Sequence, residues 1–192
     1  MEPRNGINIH FEIEIKLMTG QSVVLMGVSG CGKSSVGAAI AREFGAKFID
    51  GDDLHPRANI QKMAAGSPLN DDDRAPWLER LNDVAYSLSH KNEVGIIVCS
   101  ALKRRYRDRL RQDNPNMIFL YMKGSFDIIA ERLKARAGHF MPTALLKSQF
   151  EALEEPGADE LDVVSIAIDG SFDEVVSRGV ETLRKIGIKS RK

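Results

Sequence analysis

Five short apolar runs punctuate the chain: "VVLMG" from Val23, "KFID" from Lys47, "GIIVCS" from Gly95, "MIFLYM" from Met117 and "VVSIAID" from Val163. Their length and β-branched content predict strands. The intervals carry apolar residues at helical spacing, in "SSVGAAIAREF", "RAPWLERLNDVAYSLS", "KRRYRDRLRQ", "SFDIIAERLKAR", "TALLKSQFEAL" and "SFDEVVSRGVETLRKI". Ser171 followed by Glu174 supplies a capping box for the last of these helices. Strands alternating with helices signal a parallel sheet covered on both faces. Two segments break the pattern. Residues 1–17 form an extension in which "INIHFEIEIK" alternates apolar and polar residues and reads as an edge strand. It packs on the sheet, pairs with a second subunit, or merely precedes a domain spanning 18–192. The second exception, "DGDDLHPRANIQKMAAGSPLNDDDR" from Asp50 to Arg74, follows neither period and is dense in acids, bases and turn formers.

Composition narrows the class without deciding it. A chain of 192 residues, 43% hydrophobic and 28% charged, suits one well-buried domain rather than a disordered or membrane-spanning protein. Lys+Arg and Asp+Glu both number 27, a balance that argues against a protein built to coat nucleic acid. No apolar run approaches the ~18 residues that cross a bilayer. Two cysteines, Cys31 and Cys99, in a loop and a buried strand, suit a reducing compartment, and the expected location is the cytoplasm.

The most specific signal is "GVSGCGKS", Gly27 to Ser34, which satisfies G-x-x-x-x-G-K-[ST] between a predicted strand and a predicted helix. Gly27, Ser29, Gly30, Cys31 and Gly32 let backbone N–H groups turn around phosphate oxygens, Lys33 reaches the outer phosphates, and Ser34 offers Mg²⁺ a hydroxyl. Ser35 supports the inner phosphate. ATP with Mg²⁺ is the expected nucleotide. No N-K-x-D element for guanine is present, and the third strand ends in Ser100 where many P-loop motors carry a metal-ordering Asp. The second strand instead ends "FIDGDD", so Asp50 and Asp52 emerge at the carboxyl edge of the sheet, where α/β proteins bind ligands. One carboxylate suits the metal and the other an acceptor hydroxyl, unless both only form turns and caps.

With these motifs in order, the chain resembles the gluconate kinases, relatives in fold of shikimate kinases. The resemblance is carried by "GVSGCGKSSVG", "FIDGDDLHPRANIQKMAAGSPLNDDDRAPWL", "VCSALKRRYRDRLR", "RLKARAGHFMP" and "LLKSQFEALEEP", and covers Gly20 to Ile186. It implies MgATP-dependent phosphorylation of D-gluconate to 6-phospho-D-gluconate in a cytoplasmic homodimer. It also implies a P-loop kinase fold, with a five-stranded parallel sheet ordered 2-3-1-4-5, helices on both faces, and a mobile lid at 124–142.

By resemblance, Asp50 joins Ser34 at the metal, and Asp52 faces the acceptor hydroxyl. His55, Arg57, Arg74 and Lys103 approach the sugar acid, with His55 otherwise only a loop residue. In the lid, Arg132 covers the nucleotide and Arg136 approaches the transferring phosphate, unless both are ordinary helix-surface arginines. His139 enters the closed site or serves as a hinge. Asp169 to Ser171 skirt the adenine by fold analogy. Asp71, Asp72 and Asp73 read as a helix start favoured by its dipole. Trp77, Leu78 and Leu81 read as core, and Arg105, Arg107, Arg109 and Arg111 as decoration of an exposed helix. Catalysis is then positioning plus charge neutralisation by Lys33, Arg136 and the metal, with Asp52 orienting the nucleophile. The alternatives are a kinase for another sugar acid or for shikimate, and an ATP-binding switch that contacts a macromolecule.

Overall fold

A computed structural model describes residues 20–135 and 143–190. The N-terminal extension and the part of the lid at 136–142 lie outside the described residues. The remaining elements alternate as their sequence pattern predicts. They are β1 (Gln21–Met26), α1 (Lys33–Phe44), β2 (Lys47–Asp50), α2 (Arg57–Ala64), α3 (Asp71–His90), β3 (Val94–Val98), α4 (Arg104–Arg111), β4 (Met117–Lys123), α5 (Phe126–Ala135), α6 (Thr143–Ala152), β5 (Val163–Ala167) and α7 (Phe172–Lys185). The five strands are parallel in the order β2-β3-β1-β4-β5, as expected.

The central strands are apolar through their middles, at Val23–Met26, Ile96–Val98 and Met117–Met122, because both faces are covered. Val23 and Leu25 of β1 join Val36, Ile40 and Phe44 of α1 and Leu183 of α7 in one buried cluster. Val24 and Met26, pointing the other way, join Trp77, Leu78 and Leu81 of α3 and Leu110 of α4 in the second. Leu81 and Ile40 are fully buried, each contributing about 1.5–3 kcal/mol of hydrophobic stabilisation. Helix ends follow their signals. The Ser171–Glu174 capping box opens α7, and Asn70 with Asp73 forms a second box at α3.

Two expectations need correction. The polar stretch from Asp50 to Arg74 is not irregular: Gly51–Leu54 forms a 3₁₀ turn and Arg57–Ala64 a helix. Only Asn59 of that helix is buried, so it has no apolar face to announce it. Helix α3 also starts at Asp71, with Asp71, Asp72 and Asp73 in its first turn. The second correction concerns α4. Arg105 is exposed, but Arg107 is completely buried and Arg109 and Arg111 are half-buried. Arg107 grips Glu160 through Nε (2.8 Å) and Nη2 (2.6 Å), while its Nη1 donates to the carbonyls of Ala101 and Leu102. A guanidinium so fully partnered can be buried.

Candidate active site

The phosphate loop begins where β1 ends, and the Gly27 N–H donates to the Ser100 carbonyl at 3.1 Å, joining the loop to the end of β3. Gly30 sits at φ 84°, and a Cβ there would lie 2.8 Å from Leu133 of α5. That backbone and that close approach require glycine. Gly32 leads directly into α1, whose first turn has no side-chain cap, so its N–H groups are left to an external acceptor. Ser34 and Ser35 are exposed on this turn. Lys33 Nζ donates to the carbonyls of Gly27 and Val28, both at 2.9 Å, holding the ammonium across the loop's mouth.

One contact here carries no sequence signal. Gln149 of α6 accepts from the Ser29 N–H at 2.5 Å and donates to the Ser29 hydroxyl at 2.9 Å. The helix that follows the lid is thus tied to the loop by both ends of one amide. Nearby, Arg132 of α5 donates to the carbonyls of Ile168 and Gly170, and with Ile128, Glu131 and Asp169 it borders a cavity of about 360 Å³. The sequence assigned Arg132 and the 169–171 turn to the nucleotide separately, and the fold brings them together. Arg136 and His139 lie outside the described residues.

The acceptor side is built on the end of β2. A Cβ on Gly51 would lie 2.2 Å from the Val98 carbonyl, so glycine alone lets the chain turn tightly across the sheet edge. Asp50 accepts from the Asp52 N–H at 3.1 Å and caps the 3₁₀ turn. Asp52 projects into solvent, 90% exposed, with its Oδ1 4.0 Å from His55 Nε2. His55 itself is buried, stacked on Trp77 at 4.4 Å between centroids, and Trp77 Nε1 donates to the Gly51 carbonyl at 2.7 Å. Burial pulls the His55 pKa down; Asp52 opposes the shift and Arg74 reinforces it. Arg57 is exposed on the first turn of α2.

Arg74 folds back onto the carbonyls of Leu69 and Asn70. Lys103 donates to Asp71 at 3.0 Å, and Arg105 and the Tyr106 hydroxyl bond the same carboxylate. The Tyr106 hydroxyl first, then Lys103, holds the Asp71 carboxyl at about 2. Asp71 is therefore more than a helix-dipole residue; it gathers the basic groups of α4 onto α3. Both halves of the site abut the end of β3 at Val98 to Ser100, which includes the buried Cys99 thiol: Gly27 bonds the Ser100 carbonyl and Gly51 sits against the Val98 carbonyl. Burial pushes this thiol up to about 12, and Lys33, Asp52 and Arg74 all act on it electrostatically. The phosphate loop and the Asp50–Asp52 turn thus share one corner of the sheet edge.

Ser34 and Asp50 supply two hard oxygen donors, which fits Mg²⁺, an ion that takes one or two protein oxygens and completes its shell with phosphate and water. Among the described residues no three or more His, Cys, Asp or Glu are grouped so as to hold a metal ion.

Residues 29–184 match the shikimate kinase family. The chain is 57% identical to the thermoresistant gluconokinase of Escherichia coli over 84% of this chain and 93% of that protein. It is 58% identical to the thermosensitive gluconokinase of the same organism over 84% of this chain and 86% of that one. The crystal structure of a gluconokinase from Sinorhizobium meliloti superposes with a TM-score of 0.78 at 45% identity, covering 86% of this chain and 93% of that chain. With a phosphate loop, an acidic strand end and a basic acceptor cluster in one parallel sheet, and with relatives of this identity over this length, the chain belongs to the gluconokinase family of P-loop small-molecule kinases.

Proposed function

We propose that this protein transfers the γ-phosphoryl group of ATP to the terminal hydroxyl of D-gluconate, giving 6-phospho-D-gluconate. The observation that carries this reading is that the phosphate loop and the Asp50–Asp52 turn meet at the end of β3, with Gly27 bonded to the Ser100 carbonyl and Gly51 seated on the Val98 carbonyl, because a phosphoryl donor and its acceptor must meet there. In this reading the backbone N–H groups of Gly27 to Ser35 hold the phosphates, and Lys33 moves from its own loop carbonyls onto them. Ser34 and Asp50 would hold Mg²⁺, which would supply charge neutralisation at the phosphates. Asp52 accepts the hydrogen bond of the attacking hydroxyl, aims it and takes its proton. His55, Arg57, Arg74 and Lys103 partner the hydroxyls and the carboxylate, since each polar group taken from water needs a replacement bond. Arg132, Arg136 and His139 close over the reacting groups and exclude water.

The proposed setting is a cytoplasmic homodimer. Cys31 and Cys99 are free and buried, which supports a reducing compartment, and no helix among the described residues is long and apolar enough to cross a membrane.

The test compares acceptors with MgATP: gluconate, its epimers, shikimate, and gluconamide, which keeps the open chain but deletes the charge. Two charge-assisted hydrogen bonds lost at about 1.5–3 kcal/mol each predict roughly 10²- to 10⁴-fold lower kcat/KM for gluconamide. Equal kcat/KM for gluconate and gluconamide would sink the acid-pocket reading, and a preference for shikimate or an epimer would reassign the substrate.

A further inference from the structure

Asn59 lies one helical turn after His55 and is as deeply buried, at 3% exposure against 8%. Its Nδ2 is 2.7 Å from the Asp73 carbonyl oxygen. A carbonyl only accepts, so this atom is the NH₂ nitrogen and the orientation of the amide follows from chemistry. The same nitrogen is 3.3 Å from His55 Nδ1. An amide NH₂ only donates, so Nδ1 must present its lone pair, and the neutral ring then carries its proton on Nε2. Stacking on Trp77 fixes the ring plane, and Nε2 is the atom nearest Asp52. The charged groups around the ring are Asp52 from the 3₁₀ turn and Arg74 from α3, with the Lys62–Asp73 pair adjoining Asn59.

We propose that Asn59 is a positioning residue of the acceptor site: it locks His55 as the Nε2–H tautomer, so that the ring offers a hydrogen-bond donor beside Asp52. The proposal rests on the sugar-acid reading of this pocket and divides labour within it. Asp52 accepts from the attacking hydroxyl, while His55 donates to an oxygen lone pair of the same polyhydroxy acid. His55 does not compete with Asp52 for the proton of the nucleophile, because its accepting nitrogen is turned toward Asn59 and occupied there.

Long-range proton–nitrogen correlation spectra of the ¹⁵N-labelled full chain read the tautomer directly, with the His55 signals assigned among four histidines by their loss in His55→Gln. The expected spectrum shows Nδ1 unprotonated and Nε2 protonated, and a protonated Nδ1 overturns the proposal without any variant being needed. In Asn59→Asp the new carboxylate can only accept, so Nδ1 gains a proton. The expected kinetic result is a fall in kcat/KM for gluconate of about tenfold or more, with KM for ATP changed less than about twofold. An inverted tautomer with unchanged gluconate kinetics would remove the positioning role. A rise in both KM values together would reduce Asn59 to a structural residue. If the native enzyme leaves gluconate unphosphorylated, the functional reading fails, while the ring-nitrogen spectrum still decides the tautomer.

Discussion

Asp50 and Asp52 leave the same strand end two residues apart, yet their surroundings suit different tasks. Asp50 is half-buried and fixed by the Asp52 N–H, a posture that favours holding an ion in one place. Asp52 is exposed beside a neutral imidazole, free to follow a substrate hydroxyl. Asp52→Asn preserves shape and removes the charge, and turnover is expected to fall about 10²-fold or more while KM for ATP stays within about threefold. Asp50→Asn keeps an oxygen for the Asp52 N–H, so the 3₁₀ turn survives and the change appears instead as a shifted Mg²⁺ dependence. Steady-state kinetics with separate ATP and Mg²⁺ titrations checks both; near-normal turnover in Asp52→Asn moves the acceptor role elsewhere. These two acids and Lys33 were legible in the sequence because a strand end and a fixed motif spacing dictate where they emerge. Asp71, Tyr106 and Asn59 were not. Their partners are set by contacts across elements, with Asp71 and Tyr106 35 residues apart.

The elements that the sequence announced are those with an apolar face or a capping pattern, and the one it hid, α2, has neither. Helix α6 shows a different gap between pattern and role. Its periodicity predicts a helix correctly, yet the residue that links it to the phosphate loop is the polar Gln149, whose importance depends on where α6 docks. The two hydrogen bonds from this side chain hold Ser29, while Leu133 of α5 crowds Gly30, so both helices flanking the lid segment rest on the loop. A net hydrogen bond contributes about 0.5–1.5 kcal/mol, and losing loop preorganisation of that size corresponds to a few-fold change in affinity. Gln149→Ala is therefore expected to raise KM for ATP about threefold or more, leaving KM for gluconate nearly unchanged. An unaltered KM for ATP in a variant that melts normally would show that the loop holds its shape without α6.

Among the described residues the Arg107–Glu160 ion pair is buried on both sides, and it touches the turn that precedes Lys103. Arg107 is enclosed between α4 and the segment before β5, and besides Glu160 it binds the carbonyls of Ala101 and Leu102. Ala101 adopts φ 44°, a left-handed conformation costing roughly 1–2 kcal/mol, two residues before Lys103. The pair thus braces a strained turn that leads into Lys103, which bonds Asp71 and is proposed to reach the substrate. Hydrogen bonds from Arg107 first, helped by Arg111, hold the Glu160 carboxyl at about 2, below its ordinary 4.5. A depressed carboxyl stabilises the fold above its unfolded pKa and loses that contribution as pH falls through the folded one. The window here runs from about 4.5 down to about 2. Removing Glu160 alone strands a buried guanidinium, at a cost of about 3–5 kcal/mol. Urea unfolding of Glu160→Gln at neutral pH is expected to show a loss of that order, with a shallower decline in stability between pH 4.5 and 3 than the native protein. Replacing both partners, Arg107→Leu with Glu160→Leu, removes the stranded charge and is expected to recover much of the stability. It also takes the guanidinium donor from the Ala101 carbonyl and leaves Leu102 only the Glu154 N–H, so kcat/KM for gluconate is expected to stay depressed in the double variant while KM for ATP is spared. Full recovery of both stability and gluconate kinetics would show that the turn before Lys103 needs no brace, and that the buried pair serves packing alone.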